Sequence, residues 1–218
     1  MRPIVVVIPG FLRSTSLARP FAEALAVRGP DIILKALPGH HPNEPLLAET
    51  SLESLAAHFR AWLEGYEPGR SKVLVGESLG GLIGLALAGD PPPGLRAVVA
   101  ADPILRTHGR RDLRQECANP IHPARLIDAY GRDLFGVIGV SLDEGRDFRG
   151  ALGGMKIPVH VLAGGGPSSV LDAQDRDRLR GTPGITLHEL GPEVGHLVLV
   201  DAKAQAVEIV ARVAEAVA

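Results

Sequence analysis

The chain has 218 residues, the length of one domain with room for a sizeable core. Hydrophobic residues make up 45%, charged residues 22% and aromatics 4%, and the formal net charge is -2. That balance gives no reason to expect nucleic acid, an anionic membrane or a strongly charged partner, and so few aromatics do not suggest a base-stacking platform.

Short β-branched apolar runs alternate with helical patterns along the chain. "IVVVI" (4–8) reads as a strand, followed by a helix whose stripe holds Leu17, Phe21 and Leu25 and which Gly29-Pro30 ends. A second strand is expected over 31–36, and then "TSLE" (50–53) reads as a capping box, with Thr50 capping and Glu53 reaching back. Behind it Leu52, Leu55, Phe59, Trp62 and Leu63 form an apolar helical face. "KVLV" (72–75) is the third strand, and Gly80 to Ala88, apolar all round, is a buried helix. Further strands are expected over 95–101, 158–163 and 186–190, and a last helix from near Asp201 with Val207, Ile209, Val210 and Val213 inward. Continuous apolar runs of this length suit strands buried on both faces. The alternation predicts an α/β fold: a mostly parallel six-stranded sheet with helices on both faces.

Residues 103–156 break the rhythm, and a structureless loop of that length is implausible inside a compact domain. A small helical insertion is expected there, within a single domain spanning 1–218. Arg106, Arg110 and Arg114 would share one helical face with Arg111 beside it, either receiving an anionic substrate group or simply facing solvent. The segment carries nine basic and seven acidic residues, which favours the solvated face. Cys117, the only cysteine, lies in this segment. It permits no internal disulfide and reads as a free structural thiol in a reducing compartment. The apolar run before Pro9 is too short for a secretory core or a membrane span, so a cytoplasmic protein is expected.

The strongest chemical signal is "VLVGESLGG" (73–81), which sets Ser78 in Gly-x-Ser-x-Gly between a strand and a helix. Such a turn strains its serine, and Gly76 and Gly80 supply the small neighbours it needs. The hydroxyl then sits at a helix N-terminus, where backbone donors favour a developing oxyanion. A serine hydroxyl is a poor nucleophile alone, so a base must stand close by.

With this motif the chain resembles the α/β-hydrolase family over nearly its whole length. "VVVIPGFLRS" resembles the strand leading into that family's oxyanion loop, although Pro9-Gly10-Phe11 lacks the histidine common there. The resemblance implies oxyanion donors at the N–H groups of Phe11 and Leu79. "ALPGHH" (36–41) is similar to a structural Pro-Gly-His turn, giving His40 a structural role, and "GPEVGHLVLVD" (191–201) is similar to the segment carrying the general base, His196. The chain opens on what resembles the third family strand, a minimal form without the first two. The segment 103–156 resembles the family's lid.

Among the other histidines, His160 and His188 alternate with apolar residues inside strands and read as packed, while His41 sits in a turn, His58 on the helix carrying Trp62, and His108 and His122 in the insertion. The acid is harder to place. The family's usual position is the turn after "PVHVLA", yet residues 164–169 hold no carboxylate. Asp172 and Asp175 follow in what reads as a helix start, where solvated carboxylates complement the dipole. Asp102 ends the strand 95–101, and adjacent parallel strand ends stand about 4.8 Å apart, so either end reaches one histidine. Asp102 is the expected acid, with Asp172 as the alternative.

The expected function is cleavage of a small-molecule carboxylic ester or thioester by Ser78, His196 and Asp102, with no metal or organic cofactor. A non-hydrolytic enzyme of the same fold, a lyase or acyl transferase, and a non-catalytic binding protein are the alternatives.

Overall fold

The structure is a computed structural model that describes residues 1–11, 13–41, 43–45, 47, 51–106 and 147–218. Six strands form one sheet: β1 (Ile4–Ile8), β2 (Asp31–Leu34), β3 (Lys72–Glu77), β4 (Leu95–Ala101), β5 (Val159–Ala163) and β6 (Ile185–Glu189). Their order is β2-β1-β3-β4-β5-β6, and every neighbouring pair is parallel.

The apolar runs are continuous because helices cover both faces of the sheet. On one face Val5, Val7, Val73, Val75, Val99 and Leu162 pack with Phe21 and Leu25 of α1 (Thr15–Ala26) and Val207 and Val210 of α6 (Lys203–Ala216). On the other face Ile4, Val6, Leu74, Val98 and Val161 meet Phe59 and Leu63 of α2 (Leu52–Gly65) and Leu82 and Leu85 of α3 (Leu79–Gly89). Leu179 of α4 (Ala173–Arg180) joins this second layer, and the single turn α5 (Val198–Asp201) joins the first. α3 is buried along its length except at Ala86 and Gly89, which is why its sequence shows no polar side. The edge strands β2 and β6 are only half-buried, and there the expected ranges of 31–36 and 186–190 shift by one or two residues.

The capping box at α2 differs from expectation by one residue. Ser51 caps the helix, accepting the amide of Ser54 at 3.1 Å, while Ser54 Oγ accepts the amide of Ser51 at 2.8 Å. Thr50 lies outside the described residues. A serine hydroxyl three residues on performs the return bond assigned to Glu53, because α2 begins at Leu52. Lys72 is also unexpected: it is fully buried, with its ammonium donating to the carbonyl of Glu67 at 3.0 Å.

The helical lid expected over 103–156 falls mostly on residues 107–146, which lie outside the described residues with Cys117, Arg110, Arg111 and Arg114. Its two ends are described. Arg106 bridges Asp147 in an antiparallel pair, and the Phe148 amide donates to the Leu105 carbonyl at 2.8 Å. Arg106 is therefore extended rather than helical, and its side chain pairs with Asp172 and Asp175. No helix among the described residues is long and apolar enough to cross a membrane.

Candidate active site

The strand order reverses between β1 and β3, and in open α/β sheets ligands bind at the carboxyl ends of the strands where this happens. Ser78 follows β3 directly and Phe11 follows β1 by a short turn, so the fold brings both segments to that crevice.

Ser78 has φ 57° and ψ -115°, a conformation that L-residues rarely adopt. Two contacts hold it: its amide donates to the Ala101 carbonyl at 2.8 Å, and its carbonyl accepts the Leu82 amide at 3.1 Å. The glycines around it are required by space. A Cβ on Gly76 would lie 2.1 Å from the Gly80 carbonyl oxygen, and one on Gly80 would lie 2.5 Å from that of Ile8. The strained serine is thus wedged between β1, β4 and its own helix.

The structure brings His196 and Asp102 to this serine. His196 Nε2 lies 2.9 Å from Ser78 Oγ, and Nδ1 lies 2.7 Å from Asp102 Oδ2. All three residues are buried. A carboxylate can only accept, so Nδ1 carries the ring proton and Nε2 is left to accept from the serine hydroxyl. That is the tautomer a general base needs. His196 stands on a loop tied at several points: the Gly195 amide donates to Asp201 Oδ2 at 3.1 Å, and the Leu199 amide donates to Glu77 Oε1 at 3.1 Å. Burial pushes the Glu77 carboxyl above the usual carboxylate range, with Arg13, the Leu199 amide and His196 pulling it back.

Asp102 is completely buried and has a positive φ of 41°. Its amide donates to the Leu162 carbonyl at 2.8 Å, which fixes the strand end against β5. The turn after β5 then closes over the carboxylate. Ser169 Oγ donates to Oδ1 at 2.7 Å, and the Val170 amide donates to Oδ2 at 2.8 Å. A buried carboxylate without partners costs on the order of several kcal/mol, and here three donors surround it.

Asp172 is engaged elsewhere. It caps α4 through the Asp175 amide and pairs with Arg106; that backbone bond, first, and the guanidinium hold its carboxyl below the usual range. Asp175, expected to be solvated, is instead buried, with its carboxylate 3.2 Å from Arg106 Nε. The first turn of α4 tucks beneath the arginine, which the sequence spacing does not reveal.

Phe11 is half-buried and sets its ring edge-on to His40, with centroids 5.7 Å apart; Leu79 opens α3 and is buried. His40 is held neutral: burial pushes it down to about 4 even though Nδ1 bonds the Pro38 carbonyl at 3.0 Å. His160 and His188 pair across β5 and β6, with Nδ1 and Nε2 3.1 Å apart. No group of three or more metal-ligating side chains occurs among the described residues.

Ser169, the Val170 amide and Arg176 have no motif of their own; their only sequence signal is a Gly-Gly-Gly-Pro-Ser-Ser turn where a carboxylate is expected. Glu77 is the variable residue beside Ser78 in the Gly-x-Ser-x-Gly turn, and the motif does not show that its side chain holds the His196 loop. No Cβ fits on Gly164, Gly165 or Gly166: each would approach a carbonyl oxygen of residues 190–195 to between 2.3 and 2.9 Å.

Comparison with known proteins agrees with this architecture. No curated protein sequence matches the chain. Among solved structures, the enol-lactonase of Burkholderia xenovorans LB400 superposes with a TM-score of 0.74 at 18% identity, covering 97% of this chain and 91% of that one. A lipase-esterase related protein of Clostridium acetobutylicum ATCC 824 gives 0.76 at 15% identity, over 96% and 93%. The thioesterase domain of the curacin biosynthetic pathway gives 0.69 at 17% identity, over 96% and 90%. At such identities the likeness is one of fold. The family model for the alpha/beta hydrolase fold matches residues 3–142, more than half of the sequence. The chain belongs to the alpha/beta hydrolase family.

Proposed function

We propose that this protein is a serine hydrolase that cleaves a small-molecule carboxylic ester or thioester through an acyl-enzyme. The observation that carries the proposal is the continuous hydrogen-bonded chain from Ser78 through His196 to Asp102, at 2.9 and 2.7 Å.

In this reading Ser78 Oγ attacks the acyl carbon while its proton passes to His196 Nε2. The N–H groups of Phe11 and Leu79 stabilise the resulting oxyanion. The leaving alcohol or thiol takes the proton from His196 as the tetrahedral intermediate collapses. Water then attacks the acyl-serine by the same route, releasing the acid and restoring Ser78. Asp102 keeps the imidazole in the required tautomer and stabilises the imidazolium. The fold neighbours named as lactonase, esterase-related and thioesterase act on acyl-oxygen or acyl-sulfur bonds by their names, which supports the substrate class. A serine in the nucleophile position fits acyl transfer of this kind.

The test is a stopped-flow burst with short p-nitrophenyl esters, alongside labelling with a fluorophosphonate. Wild type is expected to show a burst and to label at Ser78, and Ser78→Ala to lose both, with kcat falling roughly 10^4-fold or more. Absence of label on wild-type Ser78 would overturn the reading. A product that is an exchanged ester rather than a free acid would make it a transferase.

A further inference from the structure

The turn after β5 contributes no group to the reaction just described, yet it holds the acid of that reaction. Ser169 Oγ has two donors aimed at it: Arg176 Nη2 at 3.1 Å and the Leu171 amide at 3.3 Å. Two donors occupy both lone pairs of a hydroxyl oxygen, so its own proton has one destination, Asp102 Oδ1 at 2.7 Å. The direction of that bond is therefore set by the surroundings.

Arg176 is itself fixed. Its guanidinium donates to the carbonyls of Leu171 and Gly164, lies 3.8 Å from Glu189, and is only 15% exposed. The turn it braces is locked to the histidine loop, since the amides of Gly165 and Gly166 donate to the carbonyls of Gly191 and Val194 at 3.2 and 2.8 Å. Arginine, serine, aspartate, histidine and nucleophile thus form one ordered line of donors and acceptors.

We infer that Ser169, backed by Arg176, is a positioning residue that orients the Asp102 carboxylate and disperses its charge, and so sets how strongly His196 holds a proton. This inference rests on the reading of Ser78, His196 and Asp102 as a triad. Asp102 Oδ2 faces the imidazole and the Val170 amide, while Oδ1 faces Ser169. A donor on Oδ1 draws negative charge away from the imidazole. Its removal leaves a carboxylate that stabilises the imidazolium more strongly but is less firmly oriented.

The experiment compares wild type with Ser169→Ala, Ser169→Cys and Ser169→Thr, reading the pH profile of kcat/KM and the titration of His196 by NMR in the absence of substrate. Ser169→Ala is expected to move the acidic limb and the NMR midpoint upward by about 0.5 pH unit, and to lower kcat roughly 10-fold with KM little changed. Ser169→Cys keeps the size but donates weakly and should fall on the same side; Ser169→Thr keeps the donor and should restore the wild-type limb. Arg176→Gln should move the limb in the same direction by a smaller amount. Midpoints within about 0.2 unit of wild type in both the Ala and Cys variants, with the fold intact by circular dichroism, would overturn the inference. Asp102→Asn separates the two levels: if it leaves turnover near normal, the triad itself is misassigned, whereas if it abolishes turnover while Ser169 variants titrate as wild type, only the role of Ser169 falls.

Discussion

Asp172 accepts the amide of Asp175 at 2.8 Å through one carboxylate oxygen and pairs with Arg106 through the other. The first carboxylate after the glycine-rich turn is therefore a helix cap, and the buried Asp102 is left to face His196. Asp102→Asn is expected to lower kcat roughly 10^3-fold or more, since an amide no longer fixes the imidazole tautomer. Asp172→Ala should leave kcat within about threefold of wild type but cost about 1 kcal/mol of stability through the lost cap. Steady-state kinetics and urea denaturation on the two variants check both outcomes.

His40 predicts a pH dependence of folding. Its value falls from 6.5 to about 4 because burial disfavours the imidazolium. Between those values the unfolded chain binds a proton that the folded chain does not, so stability is complete above about pH 6.5 and declines as pH falls toward 4. The full loss is of order 3 kcal/mol by linkage. Replacing His40 by Gln should flatten this slope while weakening the fold at pH 7, because the ring contact to Phe11 goes too. Denaturant titrations at pH 5 and pH 7 measure the difference.

Glu77 has the opposite sign. Burial raises its carboxyl above the ordinary 4.5, so as pH climbs past that value the unfolded chain ionises first and stability drops. Glu77→Gln keeps an oxygen to accept the Leu199 amide but has no proton to lose. The variant should therefore gain Tm relative to wild type as pH is raised from 5 to 8, a trend that calorimetry at three pH values would reveal. A gap in Tm that stays flat with pH would contradict it.

Two glycines give contrasting expectations. Nothing lies within 4 Å of a Cβ built on Gly65 at the end of α2, so Gly65→Ala should stabilise by about 0.5 kcal/mol. A Cβ on Gly165 would sit 2.5 Å from the Leu190 carbonyl oxygen and 2.7 Å from that of Gly191. Gly165→Ala should cost roughly 2 kcal/mol or more and depress kcat as well, because the displaced segment carries His196. Thermal melts and ester turnover on the same two preparations would separate the cases.

The central strands and the serine turn are legible in the sequence for physical reasons. β1, β3, β4 and β5 are coated on both sides, so their sequences are mostly apolar and interrupted only at single positions such as Arg96 and His160, while β2 and β6 are half-exposed. Ser78 is legible because its strain demands glycines at fixed offsets. The Asp102 side chain and the His196 ring meet across 94 positions, and only the inference that β4 adjoins β3 makes that meeting foreseeable. Ser169 and Arg176 are not legible, since their roles depend on how one loop backs onto another. Arg106 misleads, because arginines at 106, 110 and 114 fit a helical spacing while Arg106 itself is extended against Asp147. Asp175 misleads likewise, as a helix-start carboxylate whose burial comes from a partner 69 positions away.

The crowding around Gly164, Gly165 and Gly166 also bears on the routes by which such a site can change. Any carboxylate introduced at these positions brings a Cβ into a carbonyl oxygen of the facing loop. A carboxylate at any of these three positions therefore requires the facing 190–195 loop to shift, and that loop leads directly into His196. An engineer who wants a carboxylate at one of these glycines has to reshape the 190–195 segment together with it.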